Sequence, residues 1–414
     1  MSSEAIILAG GLGTRLRAVV SELPKCMAPV AGRPFLFYVI NYLRMQGIER
    51  FIFSLGYKHE IIEEYLAAHF PTMKYECSVE NEPLGTGGAI KLASTFATAP
   101  DVLIANGDTF FSVNVEDLFS FHREHNAECT LSLKPMQRFD RYGVVSCNAD
   151  GIIENFNEKK YYEQGLINGG VYVLNLIKFH SRKLPDKFSF EKDYLESYYG
   201  EHVIYGVVQD RYFIDIGIPE DYNLAQRDFH RPKLDLKSID KHWTIFLDRD
   251  GVINHDKPGS YIFTEDEFVF YDGVPASFKI LKERFGRVIV TTNQRGVGRG
   301  LMSEVDLAAI HEKMTSGVRQ AGGQLDAIFY ATSVHNDDLQ RKPNTGMAIA
   351  ASRQFPEIDF SRSIMVGNNL SDMEFGKNAG MYTVFLRTTQ AGPPLPHESI
   401  DLAFDSLHDF AKAL

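Results

Sequence analysis

The sequence predicts an α/β protein built from two doubly wound domains, and three observations predict it. Apolar runs of strand length recur at 5–8, 51–54, 102–105, 130–133 and 171–174, with helical apolar spacings at 35–45 and 61–69. Buried strands alternating with helices are the pattern of a parallel sheet covered on both faces. The pattern then restarts: 243–247 is an apolar strand entering a glycine-containing turn, and 288–292, 327–330 and 364–366 follow it. Finally, 414 residues suit two or three domains at a prior of about 150 residues each.

Between the two patterns, 227–242 alternates charges, contains Pro232 and lacks apolar periodicity. The boundaries are therefore drawn as 1–228, a linker at 229–242, and 243–414. Each half is long enough for its own core. The halves do not resemble one another, which points to a fusion of two activities.

Composition narrows the function classes. Forty-three Lys and Arg stand against 54 Asp and Glu, a net charge of −11. An acidic chain is a poor non-specific nucleic-acid binder, since phosphate affinity needs a basic surface. Any phosphorylated small molecule must be held by a local set of Lys, Arg, amides or metal. The 44% hydrophobic and 23% charged content is that of a folded globular chain. Cys26, Cys77, Cys129 and Cys147 form no C-x-x-C pair, so neither a disulfide framework nor a cysteine-rich zinc site is expected. The first residues lack a basic signal-peptide start, and no apolar run approaches the ~20 residues of a membrane span. The expectation is a cytoplasmic protein with no membrane partner, and homo-oligomerisation is left open.

The first strand runs into Leu8-Ala9-Gly10-Gly11-Leu12-Gly13-Thr14-Arg15-Leu16. Glycines at 10, 11 and 13 let the backbone approach a phosphate chain and point amides at it. Arg15 and Lys25 can pair with the same phosphates. The loop lacks the G-K-[ST] ending of a P-loop and is not G-x-G-x-x-G, which argues against a P-loop NTPase and a dinucleotide oxidoreductase. In the second half, the strand ends in Asp248-Arg249-Asp250-Gly251-Val252-Ile253-Asn254. Two carboxylates two apart, just past a buried strand, can divide the labour of nucleophile and general acid.

The longer strings carry a resemblance. The glycine loop, Pro24-Lys25-Cys26-Met27-Ala28-Pro29-Val30, Gly32-Arg33-Pro34, Leu84-Gly85-Thr86-Gly87-Gly88-Ala89, Asn106-Gly107-Asp108, Phe156-Asn157-Glu158-Lys159, Asn168-Gly169-Gly170-Val171-Tyr172 and Asp215-Ile216-Gly217 stand in the order of the sugar-phosphate nucleotidyltransferases. The first half resembles that family throughout. The resemblance implies a Rossmann-like mixed sheet and in-line attack of a sugar 1-phosphate on the α-phosphorus of an NTP. It implies nucleotide contacts at Leu8, Ala9, Gly10, Gly11, Gly13, Thr14, Arg15, Lys25, Glu80, Gly85, Thr86 and Asp108. It also implies sugar contacts at Gly143, Glu158, Lys159, Asn168 and Gly169, with Mg²⁺ on Asp108 and Asp215. Arg15 would steady the leaving pyrophosphate and Lys25 the α-phosphate. A carboxylate suits the donor edge of guanine, and Glu80 or Glu82 lies just before Gly85. The segment 81–90 looks especially like guanylyltransferases of D-glycero-D-manno-heptose 1-phosphate or mannose 1-phosphate. GTP is the expected nucleotide, with UTP and CTP left open.

In the second half, Val290-Thr291-Thr292-Asn293-Gln294, Arg341-Lys342-Pro343 and Val366-Gly367-Asn368-Asn369-Leu370-Ser371-Asp372 each follow a strand. With Asp248-x-Asp250 they resemble the four motifs of the haloacid dehalogenase superfamily, in the branch of heptose 1,7-bisphosphate 7-phosphatase and histidinol phosphatase. That resemblance implies a haloacid dehalogenase-like Rossmannoid domain. It makes Asp248 the nucleophile and Asp250 the acid and base. It places Thr292 and Lys342 on the phosphate, and Asn293 and Arg341 on the substrate. Mg²⁺ would sit on Asp248, Asp372 and the Asp250 carbonyl. Two departures stand out. The stretch before Arg341 has His335 but no cysteine, so no zinc is expected. Asn368 replaces an acid of many relatives, which implies weaker Mg²⁺ binding.

A phosphatase that makes a sugar 1-phosphate feeds a nucleotidyltransferase that uses one. The pairing predicts a bifunctional enzyme of GDP-heptose synthesis for a surface glycan such as lipopolysaccharide, capsule or S-layer. The alternatives are the same two reactions on mannose 1-phosphate or with UTP or CTP, and a second half that serves only for binding or oligomerisation.

Overall fold

The computed structural model describes residues 3–11 and 23–414. The chain divides into two compact units, Met1–Arg231 and Pro232–Leu414. The first holds a seven-stranded sheet of β1 (Glu4–Leu8), β2 (Arg50–Leu55), β3 (Lys74–Val79), β4 (Asp101–Asn106), β5 (Cys129–Phe139), β6 (Tyr162–Asn175) and β7 (Ile204–Val208), in the order β7-β5-β6-β4-β1-β2-β3. Consecutive residues of its central strands enter opposite cores. Ile7, Phe51, Phe53 and Leu103 face one cluster, while Ile6, Ile52, Val102 and Ile104 face the other. Alternating side chains buried on both faces explain why these strands read as unbroken apolar runs. The helix Phe35–Met45 buries Phe35, Leu36, Val39, Ile40 and Leu43, a stripe of helical spacing against the first cluster.

The sheet is mixed, as the family resemblance implies and the apolar pattern alone does not: β6 runs antiparallel to both β4 and β5. The apolar run at 171–174 is only the end of this strand. Its earlier residues pair with Lys134 to Phe139, and a short ribbon of Val145–Cys147 and Ile153–Phe156 lies between the two strands in sequence. No crossover helix lies between β5 and β6, and parallel neighbours need one. A buried apolar run does not by itself reveal the strand's direction.

The second unit is a six-stranded sheet of β8 (Thr244–Leu247), β9 (Arg287–Asn293), β10 (Ala327–Ala331), β11 (Ser363–Gly367), β12 (Tyr382–Leu386) and β13 (Leu402–Phe404). Its order is β10-β9-β8-β11-β12-β13, with every pair parallel. Counted within the unit this is 3-2-1-4-5-6, the doubly wound order whose strand ends open a crevice where the winding reverses. In both units the strand carrying the first motif lies at that reversal. Part of the stretch read above as a linker joins this unit's core: Ile239 is buried, and Leu234 and Leu236 pack against the same cluster. Those three apolar residues are too widely spaced to register as an element in the sequence.

Among the described residues, no helix is long and apolar enough to cross a membrane.

Candidate active sites

In the first unit, the reversal lies between β1 and β4. The loop after β1 is held at its base, where the Ala9 amide donates to Ser54 O at 2.9 Å and the Gly107 amide to Leu8 O at 2.8 Å. At Gly10 a side chain would meet both Glu80 Oε1 and the Gly56 amide nitrogen at 3.2 Å, so the loop lies directly against the Glu80 carboxylate. Glu80 Oε2 accepts the Leu84 amide at 2.9 Å. Leu8 to Gly11 and Glu80 thus meet at one mouth, with Gly11 exposed. The expected contacts at Gly13, Thr14 and Arg15 lie outside the described residues.

At the other side of the reversal, Lys25 Nζ sits 2.7 Å from Asp108 Oδ2 and 2.9 Å from Asp215 Oδ1. Asp108 follows β4, and Asp215 ends the short strand Phe213–Asp215, which pairs with Thr109–Phe111 beside it. The Gly217 amide donates to Asp215 Oδ1 at 2.9 Å. Burial pulls the Lys25 ammonium's pKa down, but the two carboxylates outweigh it and raise it, so Lys25 stays charged. Cys26 beside it is inert, its thiol pushed up to about 12 by burial.

Next to this trio opens a cavity of about 810 Å³. Gly143, Glu158, Lys159, Asn168 and Gly169 all line it, together with Asp215. Asn168 is fixed by its own strand: its Nδ2 donates to the Tyr172 hydroxyl at 2.9 Å and its Oδ1 accepts the Gly170 amide at 3.0 Å. The wall also contains Tyr142, Ser189, Glu191 and Lys192, none of which the sequence singled out.

The Gly85–Thr86 segment explains why those residues are there. Gly85 has φ +74°, and a side chain would lie 2.5 Å from Phe188 O. The Gly87 amide donates to the same carbonyl at 3.0 Å. The Thr86 hydroxyl donates to Glu191 Oε2 at 2.7 Å and accepts the Phe190 amide at 2.9 Å. The start of the helix Gly85–Ala93 therefore fastens the segment that carries Ser189, Glu191 and Lys192. Here the glycines accommodate protein backbone, whatever nucleotide contacts the segment makes besides.

In the second unit, the reversal lies between β8 and β11. Asp248 follows β8, and its amide donates to Val366 O at 3.0 Å. Lys342 Nζ lies 2.9 Å from Asp248 Oδ1, 2.6 Å from Asp372 Oδ1 and 2.8 Å from Thr291 O. The three side chains are 12%, 2% and 1% exposed for Asp248, Asp372 and Lys342, so the pairing is in a low-dielectric interior. Burial raises the Asp248 carboxyl to about 6. Lys342 opposes that rise, and Asp372 and Asp250 add to it. Thr292 is buried, with its hydroxyl accepting Gln294 Nε2 at 3.0 Å. Both ends of the Asn293 amide grip the Lys342 backbone, Oδ1 accepting its N–H at 3.0 Å and Nδ2 donating to its carbonyl at 3.2 Å. This bond pair places Lys342.

Asp250 is held differently. Arg249 donates to it twice, Nε to Oδ1 at 3.0 Å and Nη2 to Oδ2 at 2.8 Å. Asn254 Nδ2 adds a bond to Oδ1 at 2.9 Å and Gln294 Nε2 one to Oδ2 at 3.0 Å. Burial raises this carboxyl, but Arg249 and the hydrogen bonds outweigh it and lower its pKa. His311 is no metal ligand: its Nε2 faces Arg249 Nη1 at 3.2 Å. Burial and the guanidinium depress its pKa to about 4. Asn368 lies over Gly251, whose φ is +82°, and a side chain there would be 2.1 Å from Asn368 Nδ2. That Nδ2 donates to Thr389 Oγ1 at 2.8 Å, and the Asn368 Oδ1 accepts Asn369 Nδ2 at 3.3 Å.

Both units thus set two carboxylates around one lysine ammonium at a sheet reversal. Among the described residues, no three His, Cys, Asp or Glu groups converge. Two carboxylates suit Mg²⁺, which keeps several waters and completes its shell with substrate phosphate. The donor sets therefore fit the ion in both sites.

The sequence profile of the family described as Nucleotidyl transferase matches residues 4–231, and that of Polynucleotide kinase 3 phosphatase matches residues 244–404. The D-glycero-alpha-D-manno-heptose 1-phosphate guanylyltransferase of Aneurinibacillus thermoaerophilus is 51% identical over 225 residues, 54% of this chain and 97% of that protein. The crystal structure of HddC from Yersinia pseudotuberculosis complexed with GMP-PN is 37% identical, with a TM-score of 0.51, over 55% of this chain and 99% of its own. A D,D-heptose 1.7-bisphosphate phosphatase from B. bronchiseptica, complexed with magnesium and phosphate, is 30% identical over 41% of this chain and 96% of its own, with a TM-score of 0.37.

Proposed function

Because this chain belongs to the nucleotidyl transferase family and carries a haloacid dehalogenase-like phosphatase domain, we propose that it is a bifunctional enzyme of GDP-heptose synthesis. The phosphatase unit removes the 7-phosphate of D-glycero-α-D-manno-heptose 1,7-bisphosphate, and the first unit transfers GMP from GTP to the heptose 1-phosphate that remains. The guanylyltransferase assignment is supported by 51% identity along nearly the whole of a relative with that activity in its name.

The bisphosphate reading is carried by one observation, a cluster of arginines beside Lys342. Among the described residues Arg341 Nη1 is buried without a hydrogen-bond partner, and burial, with Arg295 and Arg299 nearby, depresses its pKa to about 10. Arg341 with Arg295 and Arg299 near it, only partly offset by Asp338, makes a cationic group next to Lys342 in sequence that would be complementary to a second phosphate on the substrate.

In the first reaction a 1-phosphate oxygen attacks the α-phosphorus of GTP, the α–β bridging P–O bond breaks, and pyrophosphate leaves. Lys25 holds the α-phosphate and Arg15 the departing group, while Glu80 accepts from guanine. Glu158, Lys159 and Asn168 hold the sugar phosphate. Catalysis here is positioning and charge neutralisation. In the second, an Asp248 oxygen attacks phosphorus to give an aspartyl-phosphate, and Asp250 protonates the departing C7 oxygen. Asp250 then takes a proton from water as it attacks the acyl phosphate and releases inorganic phosphate. Lys342 and Thr292 hold the transferring group. When bound, Mg²⁺ on Asp108 and Asp215, or on Asp248, Asp372 and the Asp250 carbonyl, offsets the charge of the phosphates.

The test is one incubation with heptose 1,7-bisphosphate, Mg²⁺ and equal amounts of four NTPs, read by mass spectrometry. GDP-heptose supports the full reading. UDP- or CDP-heptose overturns the base assignment, and unchanged bisphosphate overturns the heptose assignment.

A further inference from the structure

We propose that Arg249 and His311 are positioning residues of the phosphatase site, forming a buried relay that aims the Asp250 carboxyl at the leaving oxygen. The inference rests on the reading above, in which Asp250 is the acid and base. Arg249 is fully buried and ranks among the largest buried side chains of the chain. Among the described residues, Asp250 is the only carboxylate it hydrogen-bonds. A guanidinium carried into the interior beside a catalytic pair is costly, and packing alone would be better served by an apolar side chain. The fork of Arg249 fixes the plane of the Asp250 carboxylate, because two parallel bonds leave it no free rotation.

The fork is itself fixed from behind. Nη1 faces His311 Nε2 at 3.2 Å, and Nη2 donates to Gln294 Oε1 at 3.1 Å. Since a guanidinium only donates, His311 must accept here. His311 lies in the long helix Glu304–Gln320, 62 positions from Arg249, so the relay ties Asp250 to a rigid element distant in sequence. Asn254 Nδ2 and Gln294 Nε2 each add one bond, to Oδ1 and Oδ2 respectively, beside those of the Arg249 fork. The orientation of the carboxylate is therefore set by the side chains of Arg249, Asn254 and Gln294.

A positioning role is separable from a structural one by the leaving group. An alkoxide needs its proton as the P–O bond breaks, whereas p-nitrophenolate leaves without one. The value of kcat/KM reports this first step alone. The experiment compares kcat/KM on heptose 1,7-bisphosphate and on p-nitrophenyl phosphate for wild type, Asp250→Asn, Arg249→Lys, His311→Leu and His311→Gln. Asp250→Asn is expected to lose about 10²–10⁴-fold on the bisphosphate and little on the aryl ester. His311→Leu and Arg249→Lys are expected to lose about 10-fold or more on the bisphosphate only. His311→Gln, whose amide oxygen reaches the place of Nε2, restores most of it. Equal losses on both substrates, or no loss in His311→Leu, overturn the relay while Asp250→Asn still upholds the acid. An unaffected Asp250→Asn overturns the underlying assignment and the relay with it. Aryl phosphatase activity of each variant serves as the check that it folds.

Discussion

Replacing Lys342 by Met removes one ammonium from between two buried carboxylates, and the structure sets the size of the effect. Nζ is within 2.9 Å of Asp248, 2.6 Å of Asp372 and 2.8 Å of the Thr291 carbonyl, and the lysine side chain is 1% exposed. Methionine has a similar length, so little space is lost and the change is electrostatic. Removing one partner of a buried ion pair costs about 3–5 kcal/mol, because the other charge is left uncompensated. Here two charges are left, and one of them relieves the strain by taking up a proton. The pH dependence follows from that. Burial, against the pull of Lys342, already raises Asp248 to about 6, and without the lysine it rises further. A carboxyl raised above its unfolded value favours the folded state below the unfolded pKa and loses that advantage as pH rises through the folded one. The deficit of Lys342→Met is therefore smallest near pH 5 and largest near pH 8. Trp243 is the single tryptophan of the chain, lies in the second unit and stacks on Tyr382 at 5.7 Å. Urea unfolding followed by its fluorescence reads that unit. A deficit below about 1 kcal/mol at pH 8, the range of an exposed pair, would refute the reasoning. So would a deficit that does not change with pH.

Three other outcomes are expected. Lys25→Met should lower kcat for pyrophosphate release by about 10²–10³-fold while p-nitrophenyl phosphate hydrolysis persists, since the residue neutralises developing charge in the first unit only. Gly85→Ala places a side chain 2.5 Å from Phe188 O at a φ of +74°, and should lower the melting point of the first unit, followed by far-UV circular dichroism, for a cost of about 1–3 kcal/mol. Arg341→Ala should raise KM for the bisphosphate about tenfold or more relative to p-nitrophenyl phosphate, in line with about 1.5–3 kcal/mol for a bond to a charged group. An equal KM change on both substrates would argue against a second phosphate seat.

Much of this molecule could be read locally. The strand runs at 5–8, 51–54, 102–105 and 364–366 each lie within an observed strand, because burial on both sheet faces writes itself into a few consecutive residues. Asp108 and Asp248 stand just past strand ends for the same reason, and Asp372 stands in the first turn of the helix that follows β11: the motif and the strand that presents it are close in sequence. Gly10 and Gly11, just past β1, belong to this class too.

What the chain could not declare locally was decided by the order of the strands. Lys25 and Asp215 are 190 positions apart and meet only because the short strand Phe213–Asp215 pairs beside the end of β4. The reversal of β6 was hidden because a buried apolar run has no polarity. Thr86 reads as a nucleotide contact, and the fold adds that its hydroxyl clasps the segment that supplies Ser189, Glu191 and Lys192 to the cavity wall. Arg249 stands in the sequence only as the residue between two aspartates, and His311 has no local pattern around it. Their meeting beside Asp250 needed the helix Glu304–Gln320 laid against the turn after β8. Sequence by itself determined the elements and the chemistry they present, because periodicity and motif are short-range. Tertiary structure alone decided which charges are paired and which carboxylate is held still, because those partners are joined by packing across the sheet and not by the chain.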